Sequence, residues 1–357
     1  MHETPIKGRG SVSNKTSRFD QFQRVSFDDE WAIDDERAPA RPATTVSMET
    51  AKSIISRNNS PDIPFDQSIN PYRGCEHGCI YCYARPTHAY LNHSPGLDFE
   101  TKLYAKGNAA ELLRATLSKP SYEPKLIALG ANTDPYQPIE RRLGITASIL
   151  AVLEEFNHPV AITTKSASVT RDIPLLERMA RKNLVRVFMS IGSLDKAIAR
   201  TLEPRASAPG ARLDAVRALS QAGIPTGVLV APVIPSLTDH DMENILFSAR
   251  DAGALNAAYV LLRLPLEVAD LFREWLKAHY PLKQAHVMNL VRQMQGGKDY
   301  DSEFRTRMKG SGVFAELLEQ RFRKTCAKAG LNQARPSLTV DLFRRPAIED
   351  PQLDLFG

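Results

Sequence analysis

No apolar run of about 18 residues or more occurs in the 357-residue sequence, which excludes a membrane-spanning helix. No apolar stretch follows the polar residues 1–10 closely enough to form a secretory signal, so a cytoplasmic protein is expected. Cysteine is scarce: four residues are far too few for a disulfide scaffold. Neither sign of charge dominates, since 46 Lys and Arg stand against 41 Asp and Glu. The net charge of +5 is only mild support for a polyanionic partner. What is present is ordinary globular composition, 43% hydrophobic and 24% charged, in a chain long enough for two or three structural units. Three of the four cysteines fall between positions 75 and 82, and that crowding is the informative feature.

The chain divides by pattern. Residues 1–60 interleave charges of both signs with Ser, Thr, Asn and Pro, and are expected to form a flexible leader, part of it lying across the folded body. Over 61–280, short apolar runs (Leu126–Leu129, Val160–Thr163, Val185–Ile191, Thr226–Val233 and Ala258–Leu262) alternate with helical patterns such as Arg212–Ala222, which Gly223 ends. A first strand is expected near Asp66–Tyr72, giving six βα units. Strands apolar throughout and joined by helices imply a parallel sheet buried on both sides. The expected fold is therefore α/β, a partial (β/α)6 version of the (β/α)8 barrel with its chemistry at the C-terminal strand ends. Residues 281–334 read as a basic helical extension, and 335–357 as a Pro-containing tail.

The strongest motif is Cys75-Glu-His-Gly-Cys79-Ile-Tyr-Cys82. Three thiolates spaced four and three positions apart can wrap a cubane [4Fe–4S] cluster from one loop, each binding one iron. The fourth iron is then open to a substrate or cofactor. Tyr81 sets an aromatic ring against the cluster or its ligand, and Gly74 and Gly78 give the loop the backbone angles for a tight turn. Three other readings stand beside this one: a structural zinc completed by His77 or His88, a ferredoxin-like cluster completed by Cys326, and unligated cysteines.

Cys-x3-Cys-x2-Cys after the first strand of a βα barrel resembles the radical S-adenosylmethionine superfamily. The likeness narrows to the branch of spore photoproduct lyase and "DNA repair photolyase"-like proteins. It is carried by Asn70-Pro-Tyr-Arg-Gly-Cys75, Cys82-Tyr-Ala-Arg-Pro-Thr-His88, Gly130-Ala-Asn-Thr-Asp-Pro135, Thr163-Thr-Lys-Ser166, Met189-Ser-Ile-Gly192, Glu203-Pro-Arg205 and Ala231-Pro-Val-Ile-Pro235. The resemblance implies metal ligation by Cys75, Cys79 and Cys82, and cleavage of S-adenosylmethionine to a 5′-deoxyadenosyl radical that takes hydrogen from a substrate. It also implies cofactor contacts from Tyr81, Asn132, Thr133, Lys165, Ser190, Glu203 and Arg205. Asn132 and Thr133 would meet the cofactor's ammonium, Lys165 its carboxylate and Ser190 its ribose or carboxylate. Glu203 and Arg205 would pair with each other or grip polar cofactor groups, and Val230 and Val233 would line an adenine slot. The chain departs from the lyase at Ala131, where the lyase has a hydrogen-donating cysteine. Tyr136 is a candidate substitute, and no catalytic residue is assigned.

Weaker signals point to partners. Arg292-Gln-Met-Gln-Gly-Gly-Lys298, with Arg305, Arg307 and Lys309, forms a basic glycine-containing stretch suited to phosphates, although it carries few aromatics to stack bases. His88, His93 and Cys326 read as ordinary residues without a role. At the C-terminus, Gln352, Leu353, Leu355 and Phe356 resemble the peptide by which bacterial polymerases and repair proteins bind the sliding clamp. The expected function is a DNA repair-like radical enzyme acting on nucleic acid or a modified base, fed electrons by a flavodoxin or ferredoxin. Two alternatives remain: the same chemistry on a peptide or small metabolite, and a non-catalytic iron–sulfur module that binds nucleic acid.

Overall fold

Among the described residues ten strands build two sheets: β1 (Thr45–Glu49), β2 (Ile55–Arg57), β3 (Gln67–Ile69), β4 (Tyr72–Arg73), β5 (Lys102–Lys106), β6 (Ile127–Leu129), β7 (Val160–Thr164), β8 (Val185–Ser190), β9 (Thr226–Val233) and β10 (Asn256–Leu261). The structure, a computed structural model, describes residues 5–19, 42–334 and 337–346. The large sheet runs β10-β9-β8-β7-β6-β3-β2; its first six strands are parallel, and β2 lies antiparallel to β3 at the edge. The expected (β/α)6 rhythm is present, with strand limits shifted by at most three residues. The expected helix over 212–222 spans Pro209–Gln221, and Gly223 follows it at φ 72°.

Strand alternation decides which side chains meet. Ile127, Ile162, Val185, Val187, Met189, Val228 and Val230 point to the helices and form the main core. Their neighbours Ala161, Thr163, Arg186, Phe188 and Leu229 are only partly buried, and Ala258 is exposed. The expectation of a sheet buried on both sides is thus corrected: the barrel is open, so its inner face lines a lumen and carries small and polar residues beside the larger apolar Phe188 and Leu229.

Two boundaries also change. The expected leader contributes β1, which pairs with β5, and β2, which extends the large sheet. The expected extension is part of the barrel's packing. The helix Val313–Ala329 lays Ala315, Leu318, Phe322 and Cys326 into the main core. Just beyond it, the Asn332 amide bonds Ala257 N and O at 2.9 and 3.0 Å, covering the β10 edge. In the tail, Phe343 packs on Tyr122, Phe156 and His158. Gln352, Leu353, Leu355 and Phe356 lie outside the described residues. Among those residues, no helix is long and apolar enough to cross a membrane.

Candidate active site

The cysteine loop leaves β4 and folds over a buried ion pair. Arg85 and Glu100, both wholly buried, bond each other, and Arg85 also donates to the carbonyls of Gly78, Cys79, Pro95 and Gly96. The amides of Gly10 and Ser11 supply Glu100 with two more bonds, at 3.0 and 2.9 Å. A buried pair whose lone pairs and protons are all used is tolerated and fixes geometry. The N-terminal segment therefore crosses the back of the loop, as expected of part of the leader. The approach is so close that a Cβ at Gly10 would lie 1.9 Å from the Gly78 carbonyl oxygen. Gly78 itself sits at φ 66°, the left-handed region that glycine enters without strain.

Cys75 and Cys79 are buried, Cys82 is partly exposed, and all three are free thiols on this loop. Burial pushes the Cys75 thiol up to about 12, with Asp134 and Cys82 adding to the shift. Burial likewise raises Cys79, and neighbouring Glu203 adds to it. Burial of this kind keeps a thiol protonated, and a bound metal cation reverses it by stabilising the thiolate. Among the described residues, no three His, Cys, Asp or Glu side chains are placed to hold one metal ion. A cubane asks for something else, one thiolate per iron. Cys326, buried on its helix in the main core, belongs to a different apolar cluster from Cys75 and Cys82.

Around the loop the strand ends bring together several of the expected residues. The Lys165 ammonium stands 6.0 Å from the Tyr81 ring centroid. Burial alone would lower its pKa, but Cys79, Glu203 and Asp134 outweigh burial and raise it. The Tyr81 hydroxyl donates to Glu203, which also accepts from Arg212. Burial would raise the Glu203 carboxyl; Arg212 and Lys165 overcome that and lower it. Asp134 is held down at about 2: burial opposes this, and His77, Thr164 and the Lys165 amide prevail. His77 Nδ1 lies 3.3 Å from Asp134, near enough for charge but not aligned as a hydrogen bond.

Other expectations are corrected. Glu203 and Arg205 do not pair with each other, because the chain turns between them and Ala206 N bonds Glu203 O. Arg205 instead meets Glu76 at 3.1 Å. The Ser190 hydroxyl is committed to Ala231 O and the Thr133 hydroxyl to Tyr72 O, while Asn132 is exposed. Val230 and Val233 are buried in the core rather than lining a slot: alternation turns Leu229 inward, and a register shift in the pairing with β10 between Val230 and Val233 brings both to the core side. Tyr136 also packs in the core and donates to Asp172 at 2.8 Å. His88 and His93 hold Lys102 O and the Tyr104 hydroxyl. The sequence reading missed Tyr83, whose hydroxyl donates to the Ala131 carbonyl, and Arg186, whose alternation with core-facing Val185 and Val187 places it on the lumen face. Among the described residues Lys165, Arg186 and Arg263 form no salt bridge, and the Nε of both arginines is buried without a hydrogen-bond partner.

A family model, the radical SAM superfamily, matches residues 69–249, from β3 to the helix after β9. The chain belongs to the radical SAM superfamily. The cofactors of this superfamily are a [4Fe–4S] cluster and S-adenosylmethionine, and the cysteine loop fits the first: three free thiols share one loop at a strand end. Among curated relatives, the uncharacterized protein Rv2578c of Mycobacterium tuberculosis is 36% identical over 259 residues, covering 72% of this chain and 76% of that one. The uncharacterized protein MJ0683 of Methanocaldococcus jannaschii is 27% identical, covering 67% and 85%. Among solved structures, spore photoproduct lyase complexed with dinucleoside spore photoproduct superposes with a TM-score of 0.56 at 17% identity, covering 80% of each chain. A lyase mutant with bound AdoMet and the same dinucleoside gives 0.53 at 16% identity. At these identities the likeness establishes a shared fold.

Proposed function

We propose that this radical SAM enzyme acts on nucleic acid or a modified base, with Cys75, Cys79 and Cys82 as the cluster ligands. When bound, the cluster and S-adenosylmethionine supply one-electron chemistry that draws a hydrogen atom from a substrate. Lys165 is assigned to the cofactor's carboxylate. Glu203, held by Tyr81 and Arg212, offers a fixed negative charge at the same rim. Thr133 and Ser190 act by holding the strand ends, because their hydroxyls are already committed to backbone carbonyls. Tyr83, beside Ala131, is the phenol placed to return a hydrogen atom, in place of Tyr136.

The observation that carries the substrate class is charge. Arg186 on the inner face, and Arg263 just past the end of β10, are cations that form no salt bridge among the described residues, each with a buried Nε that has no hydrogen-bond partner. An uncompensated, partly desolvated cation is costly, and an anionic ligand offsets that cost. The bound substrates named for the lyase structures are dinucleosides of a photoproduct, which agrees with this class. Electrons would come from a flavodoxin or ferredoxin. The test is anaerobic incubation of the reconstituted protein with damaged and undamaged DNA, scoring 5′-deoxyadenosine and salt-dependent binding. Stimulation by nucleic acid supports the reading; no binding and no stimulation overturn it.

A further inference from the structure

One group of side chains beside the cysteine loop shares only Tyr83 with the chemistry proposed above. Tyr83 follows the last loop cysteine, Arg263 lies two residues past β10, and Tyr300, Phe304 and Arg307 come from the turns between the helices Gln284–Met294 and Val313–Ala329. The fold stacks them together. The Arg263 guanidinium lies 5.1 Å from the Tyr83 ring centroid and 5.8 Å from that of Tyr300. Arg307 lies 4.7 Å from the Phe304 centroid.

The charges of the two arginines are handled differently. Arg307 is gripped through two nitrogens by Asp62. Arg263 reaches only the Met308 sulfur and the Tyr300 hydroxyl, each at 3.2 Å, and its Nε has no partner among the described residues. Stacking on two rings orders a guanidinium without neutralising it, and Asp62, already held by Arg307, acts on Arg263 only as a weaker, longer-range charge. The rings are also available, with Tyr83 43% and Phe304 45% exposed. A charged side chain within this wall and exposed flat rings at its ends match the needs of a single nucleic-acid strand: bases stack on aromatics while cations take the phosphates. A closed duplex hides its base faces and would leave these rings unused.

We propose that this wall binds an unpaired stretch of nucleic acid, with bases against Phe304 and Tyr83 and a phosphate on Arg263. The proposal rests on the nucleic-acid reading above and deepens it by selecting unpaired over duplex substrate. It is tested on the full-length protein by fluorescence anisotropy, with a labelled single strand of about 12 nucleotides and a duplex of equal length. The single strand is expected to bind more tightly. Phe304→Ala and Arg263→Gln are each expected to weaken it about tenfold, the scale of one lost stacking contact. Arg263→Gln should also reduce the salt slope by about 0.7. Phe304 is exposed, so its variant keeps the fold, which a melting curve confirms; Lys324→Ala, at an exposed position outside the stacked group, should bind as the parent does. Equal binding by parent and both variants, or a parent that prefers duplex, would overturn the wall while leaving the nucleic-acid reading intact. A parent that binds neither probe at low salt would overturn both.

Discussion

Single residues carry the tightest constraints around the cysteine loop. Arg85 and Glu100 are wholly buried, and each satisfies the other together with four loop carbonyls and two strap amides. Removing one partner strands a buried charge, so Arg85→Met should cost about 3–5 kcal/mol. Urea titration checks this, and an unchanged midpoint would contradict it. His158 supplies a pH signal far from the site. It is fully buried, its Nε2 sits 2.8 Å from the Tyr122 hydroxyl, and burial lowers its pKa from the usual 6.5 to about 4. The folded state resists the proton that the unfolded chain accepts. This contribution to stability is therefore complete above pH 6.5 and is lost as pH falls towards 4, up to about 3 kcal/mol. In His158→Gln, melting temperature should fall less between pH 7 and pH 5 than in the parent. Residue identity alone made the cysteine motif legible, because its spacing lies within one loop. Tyr83 was hidden because its partners, Ala131 and Arg263, are 48 and 180 positions away.

Among the elements, the parallel strands were readable from the apolar runs and their helical spacing. The two ends of the chain were not. The leader lacks apolar periodicity, so nothing local announces that Gly10 and Ser11 dock on Glu100, about ninety positions on. Gly10→Ala drives a Cβ into the Gly78 carbonyl, a backbone atom that cannot move aside. A destabilisation of about 1–3 kcal/mol is expected, read by thermal melting, and an unaltered melt would remove the strap from the account. The helix Val313–Ala329 misleads differently: its basic residues suggest a free surface helix, but Leu318 is fully buried in the main core. Leu318→Ala should cost about 2–5 kcal/mol, whereas a truly detached extension would lose almost nothing.

For the whole molecule, net charge was a poor guide and placement a good one. A surplus of +5 over 357 residues says little, but the cations without carboxylate partners gather at the lumen and its mouth. Sequence patterning identified the barrel and the residue types at its strand ends. It could not tell which hydroxyls the fold had already engaged: Thr133 and Ser190, read as cofactor contacts, donate their protons to the carbonyls of Tyr72 and Ala231. The pairing of Glu203 with Arg212 was likewise hidden by a turn that separates Glu203 from Arg205. The central claim is that the three loop cysteines carry a cluster that works on S-adenosylmethionine. Its most direct test is anaerobic reconstitution of the parent and Cys79→Ala, followed by iron and sulfide analysis and assay of reductive cleavage to 5′-deoxyadenosine. The account predicts about four irons and four sulfides per parent chain, cleavage by the parent, and loss of both in the variant. Full iron and sulfide in Cys79→Ala, or a loaded parent that leaves S-adenosylmethionine intact, would contradict it.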